Sequence, residues 1–572
     1  MMRISLRIIF AALFSIFLCL VPQDLRAFDA HITDDKLFAA RMEELLKMYN
    51  IPSVSACILK KDKRGIWDIA WEGVYGYRVA LWPRIKAGQG TIYAIGSITK
   101  TFTATAVMQL VEKGLIDLDA DINAYMPFSI KNPGLNYGDP TNPVPPITVR
   151  QLLSHCSGLS LTPFTFFSRH GDLADLDFGV FMNIDELREY LSKKDAWAHE
   201  NPDAQGKKVY YRPGERYCYS NVGYLILGFL IEEVINRDGS SKEGGSGKPC
   251  KTWMDYIKEN ILKPLGMKDT EFYWSGYPWG SKAQGYIEKR FVNQINPDYP
   301  LDPSGELQPG PAYYAEGVPM PRYILVPQRP AVRNPTIGIL YNTGGAAGQM
   351  KSTARDLAYF MTVHLNKGKG YKRDRKGHII YDKKRRPVQV PILSSRSIRA
   401  MHNFDDSKVI EPSKLDSEPG LSRVIGYGLG WMRANWGGRY WNYPWNPDRY
   451  PRRGVNWAEL RPYGIIPEPI TKVNGVDVGG GLNVEGHGGD LPGYHAEMYR
   501  VSENLAIICL MSENFSEERR DESRMQPKRF KHYKTAYDGA SELKDFDGAF
   551  PHHLVKYSEI QYLLLQKAAS LN

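Results

Sequence analysis

Several signatures that would assign a chemistry quickly are missing from this 572-residue chain. No Gly-x-Ser-x-Gly elbow occurs, which argues against an alpha/beta-hydrolase nucleophile on a strained strand-to-helix turn. There is no His-Glu-x-x-His and no Cys-x-x-Cys, and neither His487 nor His495 has metal-ligand spacing, so no metal or other cofactor is expected. Gly96-Ser-Ile-Thr-Lys-Thr101 lacks the glycine that precedes lysine in a phosphate-binding loop. Cysteine is scarce, with six in all. Removing Cys19 with the N-terminal segment leaves Cys57, Cys156, Cys218, Cys250 and Cys509, an odd and scattered set that describes no disulfide framework. Beyond residue 21 no apolar run is long enough to span a bilayer.

The composition is that of a folded protein, with 43% apolar and 24% charged residues. Net charge is +10. Much of the excess sits in Lys367–Lys376 and Lys383–Arg386, on either side of Gly377–Asp382, which reads as a short strand between turns. A solvated hairpin is the plainer expectation; peripheral contact with an anionic surface through Lys367–Arg386 is the functional one, and no nucleic-acid partner is expected. At the N-terminus, Arg3 and Arg7 precede the 14-residue apolar run Ile8–Val21. A polar stretch then ends in Ala27. This is the layout of a signal peptide cut after Ala27, giving a periplasmic or secreted protein. Leu25, larger than the usual residue at its position, keeps an uncleaved anchor as the alternative.

The organising stretch is Tyr93–Gly114. From Ser97 it reads as a helix, with Phe102, Ala106, Leu110 and Val111 on one side and Gly114 as its stop. Ser97 and Lys100, three apart, meet on one face of the first turn. A hydroxyl beside an amine at a helix N-terminus is a nucleophile with a proton acceptor in reach. Ser-x-x-Lys alone is a weak signal; a second copy, Ser541–Lys544, lies in a charged stretch and reads as surface. Two further stretches add weight: Tyr219-Ser-Asn221 before the apolar helix Val222–Val234, and Gly486-His-Gly-Gly-Asp490 near the end. Taken alone, Tyr219-Ser-Asn221 is also the turn chemistry of a helix cap.

In order and spacing these three motifs resemble the serine beta-lactamase-like family, in particular the branch of class C beta-lactamases, penicillin-binding D,D-peptidases, D-aminopeptidases and esterases. Flanking pieces resemble it too: Ile147–Leu159, Gly344–Gly348 with Ser352–Asp356, and Tyr427–Trp431. The resemblance spans roughly residues 31 to 515. It implies an acyl-enzyme on Ser97, with Lys100 and Tyr219 as catalytic partners and either one as the base. Asn221, His487 and Gly489 would bind substrate, and the backbone N–H groups of Ser97 and Asp490 would form the oxyanion hole. His487 departs from the lysine of beta-lactamases. A histidine, mostly neutral at pH 7, puts recognition of a substrate carboxylate in doubt. The resemblance therefore implies a hydrolase of esters or of amides such as D-amino-acid peptides, acting on a small-molecule, short-peptide or ester substrate. A beta-lactamase or D,D-carboxypeptidase is one alternative, and a catalytically silent binding protein of the same fold is another.

For the fold, strands at both ends of the chain with helices between predict an α+β architecture. An antiparallel sheet is flanked by helices and carries a mostly helical insert, as the resemblance also implies. The signal peptide would be 1–27 and the hydrolase domain 28–515. The helical insert covers about 97–265, and loop insertions cover about 272–340 and 432–480. The tail, 516–572, would end in a helix near Ser558–Ala569 that packs on the sheet. An amphipathic helix is expected over 31–50, capped by Thr33 or Asp34, with Leu37, Phe38, Leu45 and Leu46 as its stripe. Strands are expected at Val54–Lys60, Trp67–Val74, Gly493–Val501 and Leu505–Met511. Helical signals are patchy over Asp172–Pro202, and Gly239–Lys248 is a loop by composition. The aromatic run Trp436–Trp457 is either a lid or a staple onto the core.

Overall fold

The computed structural model describes residues 35–48, 51–80, 84–160, 184–199, 208–237, 251–272, 283, 286–288, 323–325, 345–404, 422–436, 472–473, 476–477, 482–491, 494–512, 514–515, 560–561, 563–568 and 570–571. The signal segment, the caps Thr33 and Asp34, the Gly239–Lys248 loop, the aromatics Tyr440–Trp457 and the second Ser-x-x-Lys copy lie outside the described residues.

An eight-stranded sheet carries the site. Its strands are β1 (Ser53–Lys61), β2 (Trp67–Val79), β3 (Ile85–Lys86), β4 (Ser422–Tyr427), β5 (Met432–Trp436), β6 (Leu482–Leu491), β7 (Tyr494–Ser502) and β8 (Leu505–Ser512). The order across the sheet is β4-β5-β6-β7-β8-β1-β2-β3, with every neighbouring pair antiparallel. β8 is apolar nearly throughout and buried at all eight positions, as a strand covered on both faces must be. Each Leu or Ile so buried contributes roughly 1.5–3 kcal/mol.

One face is covered by helices α2 (Thr99–Glu112) and α5 (Ala354–Leu365), whose residues share a core with Leu59, Met498 and Ile508. The other face receives α1 (Asp35–Met48) and the helical residues of 560–568. There Phe38, Met42 and Leu45 join Ile58, Ile507, Ile560 and Leu564. Lys567 pairs with Asp35 and Gln561 Nε2 donates to Glu497 Oε1 (2.6 Å), which ties residues near the end of the chain to the first helix and the sheet.

α3 (Asn221–Ile235) and the short α4 (Gly345–Gly348) complete the surroundings of α2. Ser220 caps α3 by accepting from Gly223 N–H. α2 is preceded by a 3-10 turn, Gly96–Ile98, so Ser97 stands in that turn and not in the α-helix itself. The one-sided stripe expected of α2 is also corrected. Thr99 through Leu110 are buried all round and Val111 is only half-buried, because the helix runs through the middle of the domain. Its threonines are accommodated by donating to carbonyls: Thr101 to Ile98, Thr103 to Ala346 and Thr105 to Thr101.

Other boundaries move for identifiable reasons. Leu37 is 38% exposed, and Met42 takes its place in the buried stripe of α1. Residues 432–436, expected in a loop insertion, form sheet strand β5, paired in a hairpin with β4 on one side and on the other with β6, which comes from about 50 residues further along. A helix, Ile184–Leu191, forms inside the stretch with patchy signals. Cys57, Cys156, Cys218 and Cys509 are free thiols. Among the described residues no helix is long and apolar enough to cross a membrane, and no group of three or more His, Cys, Asp or Glu could hold a metal.

Candidate active site

Ser97, Lys100 and Asn221 converge at the junction of α2, α3 and α4. Lys100 is fully buried. Its Nζ lies 2.9 Å from Ser97 Oγ, 2.8 Å from Asn221 Oδ1 and 2.8 Å from the Ala347 carbonyl oxygen. The latter two oxygens only accept. A neutral amine has two N–H groups for them and a lone pair left for the Ser97 hydroxyl, whereas an ammonium donates to all three. The same geometry thus serves both ends of a proton transfer from Ser97 to Lys100. The three-residue spacing brings Lys100 under Ser97, and the cap at Ser220 sets the first turn of α3 so that Asn221 faces the amine.

Tyr219 is buried beside them. The Lys100 Nζ stands 4.7 Å from its ring centroid and 5.6 Å from that of Tyr224, a cation–π arrangement in a water-poor site. His155 packs on Tyr219 from another side, with ring centroids 4.2 Å apart. The imidazole Nδ1 accepts from Ser220 N–H at 3.0 Å, and the His155 carbonyl accepts from Cys218 N–H at 2.7 Å. Both chain neighbours of Tyr219 are therefore held by one residue. His155 adopts a left-handed backbone, φ 58°, uncommon for a residue with a side chain. Burial, then the nearby Lys100 and His487, push its pKa well below the ordinary histidine value, so the ring is neutral.

His487 lies on β6 and is fully buried. Its Nδ1 is 2.6 Å from the Gly488 carbonyl oxygen, which can only accept, so the proton sits on Nδ1. Nε2 then accepts the Tyr427 hydroxyl proton at 2.8 Å. Burial and Lys100 bring the His487 pKa down to about 3. The position carries no fixed positive charge at neutral pH, as the sequence suggested. Tyr427, its partner, is driven well above the usual phenol range by burial.

Gly489 makes the closest approach in the site. A Cβ there would fall 2.0 Å from the Ile95 carbonyl oxygen and 2.9 Å from Ser97 N. Only glycine lets β6 lie against the 3-10 turn, which brings the backbone at Gly489 and Asp490 alongside Ser97 N. Ser97 N–H belongs to the first turn of a helix, where donors have no intrahelical acceptor. β6 pairs with β5 only as far as Gly486, while its pairing with β7 continues to Leu491. Over 487–491 the strand therefore has a partner on one side only, and alternate N–H groups face away from the sheet. A donor from that strand edge, such as Asp490 N–H, beside Ser97 N–H would give the layout of an oxyanion hole.

Ser97, Lys100, Tyr219, Asn221, His487, Gly489 and Asp490, assigned from three separate motifs, thus come together. Sequence reasoning left roles unassigned for the Ala347 carbonyl, Tyr427 and His155. Each sits in a flanking stretch already singled out by its resemblance, but all three act through hydrogen bonds to backbone groups or to another site side chain, and residue spacing does not reveal such bonds.

A sequence model of the Beta-lactamase family matches residues 36–527. Protein flp of Staphylococcus aureus (strain MW2) is 27% identical over 246 residues, 43% of this chain and 40% of that protein. An Escherichia coli (strain K12) protein named a candidate D-alanyl-D-alanine carboxypeptidase is 26% identical over 225 residues, 39% of this chain and 43% of that one. The aligned part spans less than half the length of these curated relatives. Among solved structures, the octameric penicillin-binding protein homologue from Pyrococcus abyssi aligns with a TM-score of 0.47 and 20% identity over 84% of this chain and 74% of that one. The family match runs from α1 through β8 and takes in every residue of the cluster around Ser97: the chain belongs to the Beta-lactamase family.

Proposed function

We propose that the protein is an exported serine hydrolase that forms an acyl-enzyme on Ser97 and cleaves an ester, or an amide such as a D-amino-acid peptide. The observation that carries this reading is the buried amine of Lys100 at 2.9 Å from the Ser97 hydroxyl. In the acylation step Ser97 Oγ attacks the carbonyl carbon, and its proton passes to Lys100 Nζ while Asn221 and the Ala347 carbonyl hold the amine in place. The oxyanion is received by the N–H groups of Ser97 and Asp490. Tyr219, beside the amine, is the route by which the proton reaches the leaving group. Water then repeats the sequence in reverse on the acyl-enzyme.

The neutral His487 favours substrates without a terminal carboxylate at that subsite. This supports esters and amides ahead of beta-lactams and ahead of the D,D-carboxypeptidase activity named for the Escherichia coli relative. A silent binding protein of the same fold would have no use for an amine buried against a serine.

A fluorophosphonate probe tests the proposal. Labelling of the folded protein, abolished by Ser97→Ala, supports hydrolysis; a folded protein that resists the probe overturns it. A panel of short-chain esters, D-amino-acid amides and a chromogenic beta-lactam then ranks substrates, and efficient turnover of the beta-lactam would overturn the reading of His487.

A further inference from the structure

The basic stretch Lys367–Arg386 is part of a larger surface. Residues 367–386 hold ten lysines and arginines against two aspartates, a net +8 in a chain whose total is +10. Lys369–Tyr371 pairs with Gln389–Pro391, and the chain between them forms two tight turns. In the first, Asp374 Oδ1 accepts from Lys376 and His378 N–H; in the second, Asp382 Oδ1 accepts from Lys384 and Arg386 N–H. A third turn of the same construction joins β1 to β2, where Asp62 Oδ1 accepts from Arg64 and Ile66 N–H.

The three turns are neighbours. Ile66 packs with Tyr371 and Ile379, Arg373 bonds Asp68 at 2.9 Å, and the Arg64 guanidinium lies over the Tyr381 ring. Each turn uses its aspartate internally and exposes cations at its tip: Lys63 and Arg64, Arg375 and Lys376, then Lys383, Lys384 and Arg385. Among the described residues, Lys63, Arg375, Lys376, Lys383, Lys384 and Arg385 form no ion pair with a carboxylate.

The fourth residue of each turn is left-handed in all three. Glycine fills it twice, Gly65 at φ 82° and Gly377 at φ 91°; in the third turn it is Arg385 at φ 57°. A side chain there is strained where glycine is not. The chain thus keeps a positive charge at a position where its own sister turns use glycine.

The geometry points to this three-turn platform as a docking surface for an anionic phospholipid bilayer. Separate, protruding tips suit mobile headgroups that gather around each one. A single-stranded nucleic acid would want a row of aromatics to stack its bases on, and the tips offer one exposed ring, Tyr381, with the Arg64 guanidinium 5.9 Å from its centroid. The apolar run Ile8–Val21 behind Arg3 and Arg7, as an export signal, would bring the chain to a membrane in the first place. This inference does not depend on the chemistry at Ser97.

The test is sedimentation of the full chain with vesicles of phosphatidylcholine, alone or with an equal part of phosphatidylglycerol. Binding is expected only with phosphatidylglycerol and is lost in molar salt, where charges more than about 3 Å apart are screened. Each cation contributes roughly five-fold to affinity near such a surface, so Arg375→Glu/Lys376→Glu/Lys383→Glu/Lys384→Glu loses more than a hundred-fold while its melting temperature stays near the parent's. Arg385→Gly discriminates further, because relief of strain raises its melting temperature while binding falls about five-fold. Equal binding to both vesicles, no effect of the four charge reversals, or retention by duplex DNA with none by the phosphatidylglycerol vesicles would each overturn the proposal.

Discussion

Replacing Gly489 by alanine tests the seat of the oxyanion hole. The new Cβ would fall 2.0 Å from the Ile95 carbonyl oxygen, where ordinary contact begins near 3.4 Å, so β6 and the 3-10 turn must part by about 1.4 Å. That displacement falls between the two backbone donors at Ser97 and Asp490. Loss of one oxyanion donor costs about 3 kcal/mol at the transition state, or ~10²–10³ in rate. Forcing a methyl into packed backbone costs about 1–3 kcal/mol of stability in addition. Gly489→Ala is therefore expected to lower kcat on an ester substrate by ~10²–10³ with KM little changed, since the ground-state carbonyl gains less from the donors than the oxyanion does. Gly488→Ala is the control. Its nearest neighbours are Tyr499 Oη at 3.1 Å, the tip of a side chain, and the Ala496 carbonyl at 3.8 Å, so movements of a few tenths of an ångström suffice. Its rate should stay within about ten-fold of the parent's. Stopped-assay kinetics on both variants, with circular dichroism to establish folding, give the comparison. A folded Gly489→Ala protein within about three-fold of the parent, or a Gly488→Ala protein equally damaged, would refute the assignment of this strand edge.

Acid should destabilise the protein steeply. His402 and His487 are pushed down to about 3 by burial, and His155 and His364 well below the ordinary value, so the unfolded chain binds four more protons as pH falls below about 6.5. Asp356 opposes them, since burial raises it to about 7 and the folded state holds that proton above pH 3.8. The net of three protons predicts a loss of roughly 4 kcal/mol per pH unit between about pH 6 and 4, measurable by urea unfolding; a slope near zero would contradict the buried, neutral histidines. His155→Asn keeps an acceptor near the Nδ1 position and tolerates the left-handed backbone but removes the ring beside Tyr219. It should lower kcat about 10–100-fold and shift the kcat–pH profile with KM unchanged, and an unaltered profile would make His155 merely structural. His487→Lys removes the Tyr427 hydrogen bond and buries an amine, costing about 2–4 kcal/mol in chemical denaturation, while shifting preference toward substrates that carry a carboxylate. Unchanged relative kcat/KM on matched substrates with and without the carboxylate would refute the role given to that position.

How much of this was legible in advance varies with the range of the interactions. The strands near Val54, Trp67, Gly493 and Leu505 follow from local apolar runs, and the observed spans differ by a few residues at most, except that β2 continues to Val79. The Ser97–Lys100 pair is local geometry and was readable. β5 was hidden because Met432–Trp436 is a strand only through partners roughly 10 and 50 residues away in sequence. α2 misled in a different way. Its alternating Thr, Ala and Phe look one-sided until the Gly345–Gly348 segment closes over the polar stripe, where the Ala346 carbonyl accepts the Thr103 hydroxyl proton while Thr101 and Thr105 donate to the Ile98 and Thr101 carbonyls. Val111 marks the point where that cover ends. The neutrality of His487 followed from residue type alone; its tautomer needed Tyr427, which is 60 residues away in sequence.

β1 and β8 lie side by side at the middle of the sheet, with Ser53 and Ser512 bonded across 459 positions of chain. Synthesis from the N-terminus makes β1 early, yet its neighbour emerges only after the nucleophile, the helical region and the glycine strand have all been made. Until then a sticky, half-covered ribbon waits for its mate, a slow and aggregation-exposed route to assembly. A truncation shortly before residue 505 should thus yield neither a weakened protein nor a stable fragment, because the last strand of the eight-stranded sheet to be translated is the one that joins its two halves.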